Sequence, residues 1–246
     1  MKISVLASGS SGNCIAIRTE KTTVLIDVGI AKTKIEKRLM EEGIRPDSIG
    51  AIFITHAHSD HIKGLPLANK YNIPVFAAQD EWKDITGIEN RLIYYLDKNE
   101  CIPWEGMEIH SFPVHHDAYD PRGYVIRTDK LKISVCLDTG HVDSEMLEVM
   151  RDSKVYIIEA NHEVSLVENG EYPDKVKART LSDNGHLSNQ QTAEALSELV
   201  KGQGERIFLT HLSSKNNLPE LAKLAVVRKL NEKGLKHGEH YRIGVV

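Results

Sequence analysis

Three cysteines in 246 residues, with no CxxC pair among them, give no basis for a disulfide framework or a thiolate zinc cluster. That usage suits a reducing cytoplasm. Long apolar runs are missing too: the longest are strand-length, so no membrane span is expected. The opening "MKISVLASGSSGNC" has one lysine and a brief apolar stretch soon interrupted by Gly and Ser, unlike the core of a secretion signal. No Pro/Gly/Ser-rich linker, repeat or low-complexity tract divides the chain, so a single domain over residues 1–246 is expected. Neither sign of charge dominates, since 35 acidic against 31 basic residues leave a net −4. Such a balance supplies no general pull toward nucleic acid, which would need a local basic patch or bound metal.

Histidine is plentiful, at 12 residues, and its placement matters more than its number. The stretch "FITHAHSDHIKG" (53–64) sets His56, His58, Asp60 and His61 directly behind the apolar run Ala51-Ile52-Phe53-Ile54. Two residues apart, His56 and His58 point to one side of an extended backbone. Asp60 and His61 are adjacent and must diverge, which suits a second metal beside a first. Other polar residues stand at the same station, the C-terminal end of an apolar strand. Asp27 follows "TVLI", His116 follows "IHSFPVH", Asp138 follows "ISVCL" and His211 follows "IFLT". Imidazole and carboxylate donors suit zinc, manganese or iron. His115 adjoins His116, and the residues alone leave either as the donor. His110, His237 and His240 are expected at the surface or in structural roles, and His141 beside the site but not a donor.

Short β-type runs lie at 2–7, 14–19, 23–27, 50–56, at "IPVFAA", and at 107–113, 123–128, 132–138, 155–160, 206–211 and "YRIGVV". Helical patterns occupy 31–43, with Ile35, Leu39 and Met40 on one face and Gly43 as the stop, and "IKGLPLANKY" (62–71). Further helices are expected at 143–152, 187–202 and 218–234. In the fourth, Ser188 and Gln191 form a capping-box pair, Gly202 closes the helix, and Ala193, Leu196 and Val200 supply the stripe. Strands in groups, with helices between groups and at the end, favour two packed sheets flanked by helices over simple βαβ alternation.

"THAHSDH" resembles the signature of the metallo-β-lactamase-fold hydrolases, and the similarity runs from "LIDVG" to "LTHLS". The resemblance implies an αββα sandwich, two mixed β-sheets flanked by helices, with the site at one sheet edge. It implies two divalent metal ions, manganese or zinc, with iron also compatible. His56, His58 and His116 would hold one ion; Asp60, His61 and His211 the other; Asp138 both. "HDA" in the family pattern favours His116 over His115, and Asp27 would support a ligand from behind. Asp60 is counted both as ligand and as catalytic group.

Fold membership leaves thioester, lactam and phosphodiester open. "GHLSNQQTAEALSELV…RIFLTHLSSKNN" is similar to the closing region of the family's phosphodiesterase branch, where a histidine before the helix contacts the scissile phosphate or protonates the leaving oxygen. His186 takes that place here. Two metals sharing a hydroxide, with an imidazole as general acid, form a sensible phosphodiesterase. "SGSSGNC", "LIDVG", "HSDHIKG", "CLDTGHV", "EANHE", "SDNGHLSN" and "LTHLS" resemble the WalJ (YycJ) group of small bacterial metallohydrolases. That likeness implies a 5′-to-3′ exonuclease on double-stranded DNA. Ala57, where Glu is usual, and His115, where Ser is usual, depart from the pattern. Ser8 and Asn13, in a loop of backbone N–H groups, and Asn161 and His162, behind "VYIIEA", are candidate substrate contacts. Lys175, Lys177 and Arg179 either face a nucleic-acid backbone or form a solvated charge run. A small (cyclic) phosphodiester substrate is the alternative activity, and a non-catalytic metal-bound regulatory module the alternative class.

Overall fold

The computed structural model describes residues 1–246. Its elements, in chain order, begin with β1 (Lys2–Ala7), β2 (Cys14–Arg18), β3 (Thr23–Ile26), α1 (Lys32–Glu41), β4 (Ile49–Phe53), α2 (Ser59–Ile62), α3 (Pro66–Tyr71), β5 (Val75–Ala78) and β6 (Ile93–Leu96). The second half adds β7 (Cys101–Trp104), β8 (Met107–Pro113), β9 (Arg122–Arg127), β10 (Lys132–Cys136), α4 (Ser144–Met150), β11 (Val155–Glu159), α5 (Val164–Asn169), α6 (Asp174–Thr180), α7 (Asn189–Leu199), β12 (Glu205–Thr210), α8 (Pro219–Glu232) and β13 (Tyr241–Val245). One sheet runs β1-β2-β3-β4-β5-β6 and the other β13-β12-β11-β10-β9-β8-β7. Both are mixed: β1–β3 pair antiparallel and β3–β6 parallel, while β7–β10 pair antiparallel and β10–β13 parallel.

Strand periodicity of two sorts the apolar residues into layers. Ile15 and Ile17 on β2 and Ile133 and Val135 on β10 meet between the sheets. Their neighbours Cys14 and Ala16 face α1 and α3. Cys136, with Tyr156 and Ile158 of β11, faces the helix layer that contains Leu196 of α7 and Val226 of α8. Three apolar layers separated by two sheets make the αββα sandwich expected from the resemblance. No helix is long and apolar enough to cross a membrane.

Several elements differ from the sequence expectation. Ile35 and Leu39 are buried, but Met40 is 65% exposed. The expected helix at 62–71 is broken into α2 and α3. Gly64 passes so close to Val28 and Ile30 that no Cβ fits there, and Pro66 restarts the helix at its first turn, where its missing N–H costs nothing. α7 has the expected capping box but ends at Leu199, because Val200 is already extended; Gly202 lies beyond, in a left-handed turn. Strands β6 and β7 and helices α5 and α6 were not expected. All four are short, and β7 alternates exposed with half-buried residues, so none shows a long apolar pattern.

Candidate metal centre and active site

Strand ends from both sheets converge on one edge. Asp27 leaves β3, His56 follows β4, Asp138 follows β10 and His211 follows β12. Asp27, Asp138 and His211 all have positive φ (57°, 34° and 55°), a region that few residues other than glycine enter and in which Asp and His are enriched. Each such residue costs on the order of 1–3 kcal/mol, so the surrounding contacts must hold it there. Gly29, in "LIDVG", lets the β3 exit loop lie against the His58–His61 turn. A Cβ there would sit 1.6 Å from the Asp60 carbonyl oxygen.

Two donor sets result. In the first, His58 Nδ1 lies 3.0 Å from His56 Nε2 and 3.3 Å from His116 Nε2. The second gathers Asp60, His61, Asp138 and His211: His61 Nε2 is 3.7 Å from Asp60 Oδ2 and 3.4 Å from Asp138 Oδ2, and His211 Nε2 is 3.6 Å from Asp60 Oδ2. Asp138 Oδ2 is also 3.8 Å from His56 Nε2 and 3.7 Å from His116 Nε2, so one oxygen stands between the two sets.

What backs these donors fixes which nitrogen faces inward. His61 Nδ1 donates to Asp27 Oδ2 at 2.7 Å, and Asp27 also accepts from the Thr55 backbone N–H and hydroxyl. His116 Nδ1 donates to the Gly185 carbonyl at 2.9 Å. His211 Nδ1 donates to Glu159 Oε1 at 2.7 Å, and its buried Nε2 has no hydrogen-bond partner. His56 Nδ1 is 3.1 Å from Thr55 Oγ1.

The donor chemistry fits divalent cations. Imidazole nitrogens about 2.0–2.1 Å from a tetrahedral ion stand about 3.3–3.4 Å apart, close to the first set's spacing. Burial pushes the protonation of His56 and His116 down, leaving the neutral lone pairs a ligand needs. In the second set burial alone would also lower His61, but Asp27 and Asp138 outweigh it and raise it to about 10. Burial is likewise outweighed at His211, where Asp138, Asp60 and Glu159 raise it well above the ordinary range. Burial opposes ionisation of Asp138, yet His211 and His61 hold its carboxyl well below the usual carboxylate range. The carboxylates thus carry negative charge that protons balance here and that a cation would balance equally.

Residues 22–212 match the family model described as beta-lactamase superfamily domain. The chain belongs to the metallo-β-lactamase superfamily. It is 35% identical, over 99% of its length and 94% of the relative's, to exodeoxyribonuclease YycJ of Bacillus anthracis. It is 36% identical to exodeoxyribonuclease WalJ of Streptococcus pneumoniae, over 98% of its length and 93% of the relative's. These relatives place it in the WalJ (YycJ) group, and it is a metal-dependent hydrolase. Among solved structures, the metallo-β-lactamase-fold protein YhfI of Bacillus subtilis aligns with TM-score 0.75 at 13% identity, covering 99% of this chain and 95% of that one. Yeast PDE1 aligns at TM-score 0.70 and 16% identity, covering 99% and 96% respectively. At such identities the likeness speaks to fold alone.

In this WalJ-group chain, His186 sits between α6 and α7, beside the donor sets. Its Nδ1 donates to Glu159 Oε1 at 2.7 Å, so the same oxygen holds both His186 and His211. Glu159 Oε2 accepts from the Thr139 and Leu187 backbone N–H groups. Burial would raise the Glu159 carboxyl, but His186 and the paired hydrogen bonds bring it to about 2. Burial would lower His186, and Glu159 raises it instead. Sequence reasoning passed over Glu159. Its signal was available, since it ends "VYIIE" at the same strand-end station as the other site residues. Glu81 was also missed: buried, it accepts from the backbone N–H groups of Ala57 and Asp120, tying together the loops that present His58 and His116.

A cavity of about 260 Å³ joins His58, Asp60, His116, Asp138, His186 and His211, with Asn161 and Arg179 on its wall. A larger groove of about 480 Å³, lined by Leu166, Leu221, Leu224 and neighbours, lies away from every donor and contains no histidine. Of the expected substrate contacts, Asn161 lines the site cavity, although its Nδ2 donates to the His211 carbonyl. Ser8 Oγ accepts from the His211 backbone N–H, and Asn13 accepts from Gly9 N–H while its Nδ2 lies 3.2 Å from His61 Nε2. Ser8 thus braces the His211 backbone, and Asn13 reaches the inward-facing nitrogen of His61. His162 is buried under the α7 start, where its backbone pairs with Ser188 and Asn189, outside the cavity lining. His115 stands apart from the donor sets, bonded to Asp143 at 2.7 Å and stacked on His141 with centroids 3.9 Å apart.

Proposed function

We propose that the protein is a dinuclear metal-dependent phosphodiesterase, a 5′-to-3′ exonuclease on double-stranded DNA, acting as one domain over residues 1–246. His56, His58 and His116 would hold one divalent ion, Asp60, His61 and His211 a second, and Asp138 both, with manganese or zinc favoured and iron compatible. The names of the two exodeoxyribonuclease relatives support a nucleic-acid substrate, DNA in particular. With three free cysteines, one of them exposed, the chain suits the reducing cytoplasm.

The observation that carries this reading is the pair of histidines on one Glu159 oxygen. Divalent cations in the donor sets would supply Lewis-acid charge for the phosphoryl oxygens and an acidified water. His186, whose protonated form Glu159 favours, lines the cavity and is placed to give its Nε2 proton to the departing 3′ or 5′ oxygen. Glu159 stays ionised, fixes the tautomer and balances the imidazolium. Asp60 and Asp138 would help hold the ions that supply the attacking water. Thioester hydrolysis, whose thiolate leaves without a proton, has less use for an imidazole held in this way.

The test is cleavage of duplex DNA labelled at the 5′ or the 3′ end, with manganese or zinc added to metal-free protein. Mononucleotides released progressively from the 5′ end are expected. Hydrolysis of small cyclic or aryl diesters without any action on DNA or RNA would favour the small-molecule alternative. Absence of near-stoichiometric metal binding would remove the proposal entirely.

A further inference from the structure

Arg179 is the single Lys or Arg on the wall of the site cavity, which otherwise presents the carboxylates Asp60 and Asp138. It comes from the last turn of α6, and its Nη2 and Nε donate to the two oxygens of Asp117 at 2.8 and 2.5 Å. Asp117 Oδ1 is in turn 3.3 Å from His116 Nε2, so the ion pair crosses the rim of the donor sets. On its other side Asp117 lines a second cavity, of about 350 Å³, with Glu81 and Tyr119. His58 belongs to both cavities. The Arg179–Asp117 pair therefore stands where a chain continuing from one cavity into the other would cross.

We propose that Arg179 is a positioning residue for the substrate backbone. It would grip a phosphate next to the scissile one, with Asp117 as its resting partner when no strand is bound. This rests on the phosphodiesterase reading given above and specifies the substrate as a polymer with consecutive phosphates. A guanidinium already held bidentately by a carboxylate matches a phosphate in the same fork geometry. Both partners are partly exposed, at 47% and 39%, and ion pairs so exposed contribute little net stability. Exchange of carboxylate for phosphate is thus cheap. It also turns the one guanidinium of the cavity wall onto the substrate, beside the donor sets. Lys175, exposed earlier on α6, and Lys177, whose Nζ is bonded to the Glu168 carbonyl, do not line the cavity.

The experiment is steady-state cleavage of duplex DNA by metal-loaded full-length protein over a range of potassium chloride concentrations. Wild type, Arg179→Ala, Arg179→Lys and Lys175→Ala are compared. For Arg179→Ala, KM is expected to rise by about tenfold, kcat to change far less, and the slope of log(kcat/KM) against log salt to shrink by about one phosphate contact. Arg179→Lys keeps the charge but not the fork, so its slope returns to the wild-type value while KM stays raised; this variant carries the test if the alanine variant does not fold. Lys175→Ala should behave as wild type. A wild-type slope and KM in Arg179→Ala would overturn the proposal, as would an equal loss in Lys175→Ala. So would a fall in kcat and metal content at unchanged slope, the mark of a mere brace. Wild-type protein inactive on DNA and RNA alike would instead remove the underlying nuclease reading.

Discussion

The two donor sets share Asp138 yet are built differently. His56 and His116 are backed by a hydroxyl and a backbone carbonyl, whereas His61 and His211 are backed by the carboxylates of Asp27 and Glu159. Carboxylates behind a ligand raise its basicity and fix its orientation. The first set is therefore a three-nitrogen cradle without carboxylates behind its donors, and the second an anionic one that must be charge-balanced. One edge of the sandwich thus carries two donor sets of unequal proton dependence. The asymmetry comes from Asp27 and Glu159 behind the donors together with the donor carboxylates Asp60 and Asp138.

Removing what the sets share should do the most damage. Asp138→Ala is expected to abolish turnover and to lower metal content at both sites, as read by elemental analysis beside a DNA-cleavage assay. Retention of two ions with activity would mean that the sets do not depend on a common oxygen. Next in size, Asp27→Asn should weaken metal binding at the second set by about 10–100-fold while the first set loads normally. Equal weakening of both, by metal titration, would erase the asymmetry.

The pH dependence sharpens the same contrast. In metal-free protein His61 is raised from an ordinary value of about 6.5 to about 10. A raised folded-state value contributes stability that is fully present below about pH 6.5 and is lost as pH climbs through about 10. Metal affinity runs the other way, because the ion displaces that proton. Metal-free protein should thus lose Tm over this range while the gain on adding metal grows, with proton release measurable by calorimetry in buffers of different ionisation heat. The smallest effect is expected off the donor sets: His115→Ala, half-exposed against Asp143, should change stability by no more than about 0.5 kcal/mol and leave cleavage near wild type.

Much of this arrangement was legible in the sequence because strand ends are legible. A polar residue closing an apolar run marks the sheet edge, and His56, His116, Asp138 and His211 all carry that mark. The capping box at Ser188 fixed the start of α7 and with it the neighbourhood of His186. Other features were hidden for physical reasons. Glu159 was read as the tail of a strand because its partners lie 27 and 52 residues away. Ser8 and Asn13 looked like anion-binding loop residues, but their side chains bond backbone and His61. Arg179 read equally as a backbone contact or a solvated charge, and its pairing with Asp117, 62 residues distant, was not visible in the sequence.

The most direct test of the central claim is the rate of DNA cleavage by His186→Ala, with metal content measured on the same preparation. The account predicts both ions retained and turnover down by about 10²–10⁴-fold, the usual contribution of a general acid. Cleavage at the wild-type rate with both ions bound would contradict it.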